Sequence, residues 1–149
     1  MPRALLIGYG NTLRGDDALG PMAIERLRSS RSEAELISCH QLGPELAERM
    51  AACDLVLFID ATCDGEPGTV HMERLTADAE HSGSLTHHLH PATLLELAHA
   101  LYGHAPQARL ITGVGSSFEN GERISNQACK ALDEICRIVP RLLQTFPAM

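Results

Sequence analysis

Leu55-Val56-Leu57-Phe58-Ile59 is an unbroken apolar run closed by Asp60, and it constrains the fold more than any other segment of the sequence. A strand with one solvated face alternates polar and apolar residues, so a continuous run suits the middle of a parallel sheet covered on both faces. Ala4-Leu5-Leu6-Ile7, stopped by Gly8, and Arg109-Leu110-Ile111-Thr112 read as further buried strands. Leu36 to Cys39 reads as a short strand, and Thr69 to Glu73, after the turn residues Gly65-Glu66-Pro67-Gly68, as a strand suited to an edge.

Helical patterns alternate with these strands. Leu19 to Leu27 carries Pro21 in its first turn and places Leu19, Met22, Ala23 and Leu27 on one face. A second helix is expected from about Pro44 to Ala52, and a third from Pro91 to Tyr102 with Gly103 as its stop. A long fourth helix starts at Asn126 behind the cap Ser125, with Ala128, Leu132, Ile135, Val139 and Leu142 at helical spacing. Pro140 is expected to kink it near its end. Ala77 to Ser84 is polar and reads as a mobile loop. With no repeat and no linker in 149 residues, the expectation is a single α/β domain over 1–149. Its architecture is a three-layer α/β/α sandwich around a mostly parallel sheet of about five strands.

Composition excludes several partners. The net charge of −7 comes without the clustered Lys and Arg that grip a phosphate backbone, so nucleic acid is not an expected ligand. The N-terminal apolar run is too short for a signal-peptide core or a membrane span, so no membrane association is expected. Five cysteines at scattered spacings, with no Cys-x-x-Cys, fit reduced thiols in a cytoplasmic protein.

In open parallel sheets, sites form at the carboxyl ends of the strands. There the loop Gly8-Tyr9-Gly10-Asn11-Thr12-Leu13-Arg14-Gly15-Asp16-Asp17 carries two adjacent acids. A glycine-rich loop after a strand usually turns N–H groups toward a phosphate, which these acids would repel. Asp16, Asp17, Asp60 and the His87-His88 pair form a mixed carboxylate and imidazole set suited to a divalent transition metal. The residues also admit plainer roles. Asp60 could cap the following turn, and Asp16 and Asp17 could favour the positive end of the next helix. Two neighbouring carboxylates raise each other's pKa when both are buried, so one is expected inward and the other in service of the loop or solvent. Of the clustered His87, His88 and His90, one is expected to face inward, whereas His71, His81, His99 and His104 are expected at surface or edge positions. Asn11 suits a loop-shaping role.

Other chemistries find weaker support. Gly8-Tyr9-Gly10 begins a dinucleotide fingerprint, but its third glycine falls at Leu13, and Cys39-His40-Gln41 offers no acid for a ribose. Gly113-Val114-Gly115-Ser116-Ser117 is not a nucleophile elbow, and Cys63 has no evident base.

Leu6-Ile7-Gly8-Tyr9-Gly10-Asn11 with Asp16-Asp17-Ala18-Leu19-Gly20-Pro21, then Ile59-Asp60-Ala61, then Thr86-His87-His88 before a Leu-rich helix, resembles the hydrogenase maturation endopeptidases. Pro67-Gly68-Thr69-Val70 and Gly113-Val114 extend the resemblance over nearly the whole chain. It implies a metal-dependent endopeptidase that removes the C-terminal extension of a nickel–iron hydrogenase large-subunit precursor. It further implies Asp17, Asp60 and His88 as the metal-binding and catalytic trio, His87 being the adjacent register, with nickel supplied by the precursor. Ala18 stands where many relatives have Gly, which leaves these ligands in place. Two other functions are compatible with the sequence: a non-catalytic nickel-checkpoint module for hydrogenase assembly, and a small nucleotide-binding α/β protein.

Overall fold

The computed structural model describes residues 3–30, 33–77, 89–121 and 123–147. Five strands form one sheet: β1 (Ala4–Tyr9), β2 (Glu35–Cys39), β3 (Leu55–Thr62), β4 (Val70–Leu75) and β5 (Gln107–Val114). Their order is β2-β1-β3-β5-β4, with only β4, at the edge, antiparallel to its neighbour. Four helices accompany them: α1 (Leu19–Arg28), α2 (Leu46–Ala51), α3 (Pro91–Tyr102) and α4 (Asn126–Thr145).

The pattern that makes the central strands apolar on both sides sorts the core into two halves. Leu5, Ile7, Val56 and Phe58 pack with Leu46 and Met50 of α2 and Leu94 and Leu95 of α3. Leu6, Leu55, Leu57 and Ile59 pack on the opposite face with Leu19 and Ile24 of α1 and Leu132 and Ile135 of α4. The result is the expected three-layer sandwich, with α2 and α3 on one side and α1 and α4 on the other.

Two boundaries differ from the pattern. α2 begins at Leu46 because Pro44 and Glu45 form a turn whose Pro44 carbonyl accepts from the Ala47 N–H. β3 does not end at Asp60; it continues beside β5, with Asp60 opposite Thr112 and Thr62 opposite Val114. α4 runs through Pro140 to Thr145. The expected polar loop lies outside the described residues except for Ala77.

Two glycines set how α1 seats on the sheet. A Cβ on Gly8 of β1 would lie 2.2 Å from the carbonyl oxygen of Gly20 in α1, and one on Gly20 would lie 2.5 Å from the Ile59 carbonyl oxygen of β3. The helix therefore lies directly on the backbone of the two central strands. Gly8→Ala is expected to force these elements apart and cost roughly 3 kcal/mol, measurable by urea unfolding; an unchanged midpoint would contradict this packing.

Candidate functional site

β1 and β3 are neighbours, yet the chain leaves β1 toward β2 on one side and leaves β3 toward β5 on the other. This reversal opens a crevice at the carboxyl ends of the two strands, where the chain cannot close over the rim. A cleft of about 390 Å³ occupies that position, with Tyr9, Arg14, Asp17, His40, Asp60 and His90 among its lining residues.

Strand alternation puts the first pair of polar groups there. Tyr9 and Asp60 follow the paired residues Gly8 and Ile59, and both continue the face that carries Ile7 and Phe58. Asp60 is largely buried; its Oδ1 accepts from the Ala61 N–H at 2.8 Å, and the Tyr9 hydroxyl hydrogen-bonds to its carboxylate. Burial pushes the Asp60 pKa up to about 6, against the pull of these two hydrogen bonds, and the charge of Asp17 adds to the rise. Tyr9 is pushed well above its ordinary value by burial and by the facing Asp60 carboxylate, so it remains a donor.

The adjacent acids divide their work. Asp16 is fully buried in the 3-10 turn Gly15–Ala18. Its Oδ2 accepts from the Ser116 and Ser117 N–H groups at 2.7 and 2.9 Å and from the Ser125 hydroxyl at 2.7 Å, while Oδ1 accepts from the Ser125 N–H at 2.7 Å. Burial alone would raise its pKa, but the hydrogen bonds from Ser125, Ser117 and Ser116 outweigh it and hold the carboxyl below its ordinary value. Asp17 lines the cleft, and its Oδ2 accepts from the Asn11 N–H at 2.7 Å. Gly10, at φ +151°, makes this approach possible: a Cβ there would lie 2.0 Å from the Asp17 carbonyl oxygen. Asn11 shapes the loop, accepting the Leu13 N–H on its Oδ1 at 2.9 Å.

The chain is similar to several solved structures. The NiFe hydrogenase maturation protease HycI from Thermococcus kodakarensis KOD1 is 23% identical, with 96% of this chain and 93% of that one covered and a TM-score of 0.76. The hydrogenase maturating endopeptidase HybD from E. coli is 22% identical, over 97% of this chain and 94% of that one, with a TM-score of 0.74. The hydrogenase 2 maturation peptidase from Thaumarchaeota archaeon SCGC_AB-539-E09 is 21% identical, over 95% and 97%, with a TM-score of 0.71. The chain has the fold of the hydrogenase maturation proteases. No family model matches the sequence, and comparison with curated proteins finds no match.

On this maturation-protease fold, two of the three expected ligands, Asp17 and Asp60, line one cleft. His87 and His88 lie outside the described residues, although Leu89, His90 and Pro91, which follow them, line the same cleft. His90 itself caps α3, its Nδ1 accepting the Ala92 N–H at 3.1 Å. Among the described residues no group of three or more His, Cys, Asp or Glu side chains is disposed to hold a metal ion. His71 and His99 are exposed, His104 is exposed with Nε2 2.9 Å from the Cys53 carbonyl oxygen, and His81 is outside the described residues. Cys63 is exposed, with Sγ 3.9 Å from the Asp64 carboxylate.

Sequence reasoning passed over Tyr9 and His40. Tyr9 was legible by counting in twos from Leu5 and Ile7, which puts it on Asp60's face. His40 follows β2 directly, so the carboxyl-end rule applied to that strand would have found it.

Two stability measurements check the division of labour. Asp16→Asn places an NH2 group against N–H donors in a closed site and is expected to cost at least ~3 kcal/mol, whereas Asp17→Asn changes the urea midpoint little; equal effects would contradict it. The folded protein keeps the Asp60 proton up to about pH 6, whereas the ordinary carboxyl releases it near 3.8. The native state therefore binds more protons in that window, and this group makes stability fall as pH rises through it. Asp60→Asn is expected to stabilise the protein by roughly 2 kcal/mol above pH 7, the gain shrinking as pH drops toward 4.

Proposed function

We propose that this protein is an endopeptidase that removes the C-terminal extension of a nickel–iron hydrogenase large-subunit precursor after nickel insertion. The observation that carries the reading is the convergence of Asp17 and Asp60, from two separate segments, in one cleft of a maturation-protease fold. Two carboxylates and an imidazole from His88, or His87 in the adjacent register, suit a divalent nickel ion carried by the precursor. The donor chemistry fits: Asp17 has one oxygen committed to the Asn11 N–H, and Asp60 is held in place by the Ala61 N–H and Tyr9. Nickel brought with the substrate would polarise the scissile carbonyl and lower the pKa of water.

The chain's own residues supply position and charge. Ionised above about pH 6, Asp60 presents a carboxylate in a largely buried site, where attraction to a cation is stronger than in water. Tyr9 restrains its orientation, and the Gly10 turn brings Asp17 alongside. A precursor lacking nickel would confront two unneutralised carboxylates, so the same pair would make docking depend on metal loading. The cleft's acids also disfavour the nucleotide reading, because a phosphate entering it would meet Asp17 and Asp60.

Incubation of the protein with a nickel-loaded precursor, followed by mass spectrometry, tests the proposal. Release of a discrete C-terminal peptide is expected; an intact precursor in a stable complex would establish the checkpoint function instead. Asp17→Asn and Asp60→Asn are each expected to reduce processing at least ~100-fold while remaining folded. The wild-type rate should fall tenfold per pH unit well below about pH 6, as Asp60 takes up its proton.

A further inference from the structure

The end of the sheet remote from the cleft holds a second feature, unrelated to the first in residues and charge. Arg74 of β4 and Arg109 of β5 stand directly opposite one another in the antiparallel pairing. Directly opposed residues share a face and lie close enough to interact, so two guanidinium groups here repel. Arg109 is only 7% exposed, and among the described residues its side chain makes one hydrogen bond, a 3.3 Å contact from Nη1 to the Ala108 carbonyl. Neither arginine forms an ion pair among the described residues. Glu73, the adjacent acid on β4, projects to the other face by strand alternation. Burial lowers the Arg109 pKa, and Arg74 lowers it further.

A buried cation that has no ion-pair partner among the described residues and faces a second cation is costly, and an anion in the adjoining space would offset that cost. Both arginines line a cavity of about 370 Å³, together with Leu75, Thr76, Ala105 and Pro106. That volume admits a small molecule, and the planar guanidinium fork matches the two oxygens of a carboxylate or phosphate. We propose that Arg74 and Arg109 form a binding site for a small oxyanion, a phosphate or a carboxylate, at the β4–β5 edge.

Thermal unfolding of the full chain by circular dichroism at pH 7.5 tests this, with inorganic phosphate, citrate and chloride compared at equal ionic strength. A rise in Tm of roughly 3 °C is expected with phosphate or citrate at about ten times its dissociation constant. The arm that shows it distinguishes a phosphoryl from a carboxylate ligand. Arg74→Gln and Arg109→Leu should each abolish the rise. In chloride, Arg109→Leu should melt no lower than wild type, since it removes a buried charge that faces a second cation. Should Arg109→Leu fail to fold, Arg74→Gln decides alone. Equal melting in all three salts, or an undiminished rise in the Arg74→Gln protein, overturns the proposal.

Discussion

The cleft depends on a buried carboxylate that does not enter it. Asp16 binds two N–H groups of the segment after β5, together with the N–H and hydroxyl of Ser125, and Ser125 in turn caps α4 by accepting the Ala128 N–H at 3.0 Å. Backbone bonds reinforce the same junction: the Gly15 N–H donates to the Gly121 carbonyl, the Asp16 N–H to that of Ser117, and the Gly121 N–H to that of Leu13. One charge thus ties the loop after β1 to the start of the last helix. The loop cannot drift, and Asp17, the next residue, inherits its position from that anchoring.

The sheet supplies the other half of the geometry. Its strand order reverses between β1 and β3, so a crevice exists there whatever the side chains are. Glycines at 8 and 20 seat α1 on one side of these strands, and alternation along β1 and β3 delivers Tyr9 and Asp60 to the other. Burial then gives Asp60 an affinity for protons that an exposed carboxylate lacks.

Much of this was legible in the sequence because it is local. The unbroken run at 55–59, the cap at Ser125 and the glycine stop at Gly103 each report on neighbours a few residues away, and the four helices and five strands follow from such signals. Position alone does not tell Asp16 from Asp17, and only the family resemblance singles out Asp17, since their partners are set by contacts across the fold: Ser125 is 109 positions from Asp16. β3 runs past Asp60 to Thr62, although the polar residue reads as an ending in the sequence. Pairing with β5 carries the strand onward, so the acid is held by a ladder rather than by a turn. The opposed arginines likewise depend on the β4–β5 register, which no local pattern encodes.

The central claim is that Asp17 and Asp60 act together on one divalent cation. Titration of the purified protein with Ni²⁺, followed residue by residue through paramagnetic broadening of amide NMR signals, tests it most directly. The Asn11 and Ala61 amides, which donate to these two carboxylates, are expected to lose intensity in step. Broadening of one amide without the other, or of signals elsewhere while both stay sharp, would contradict it.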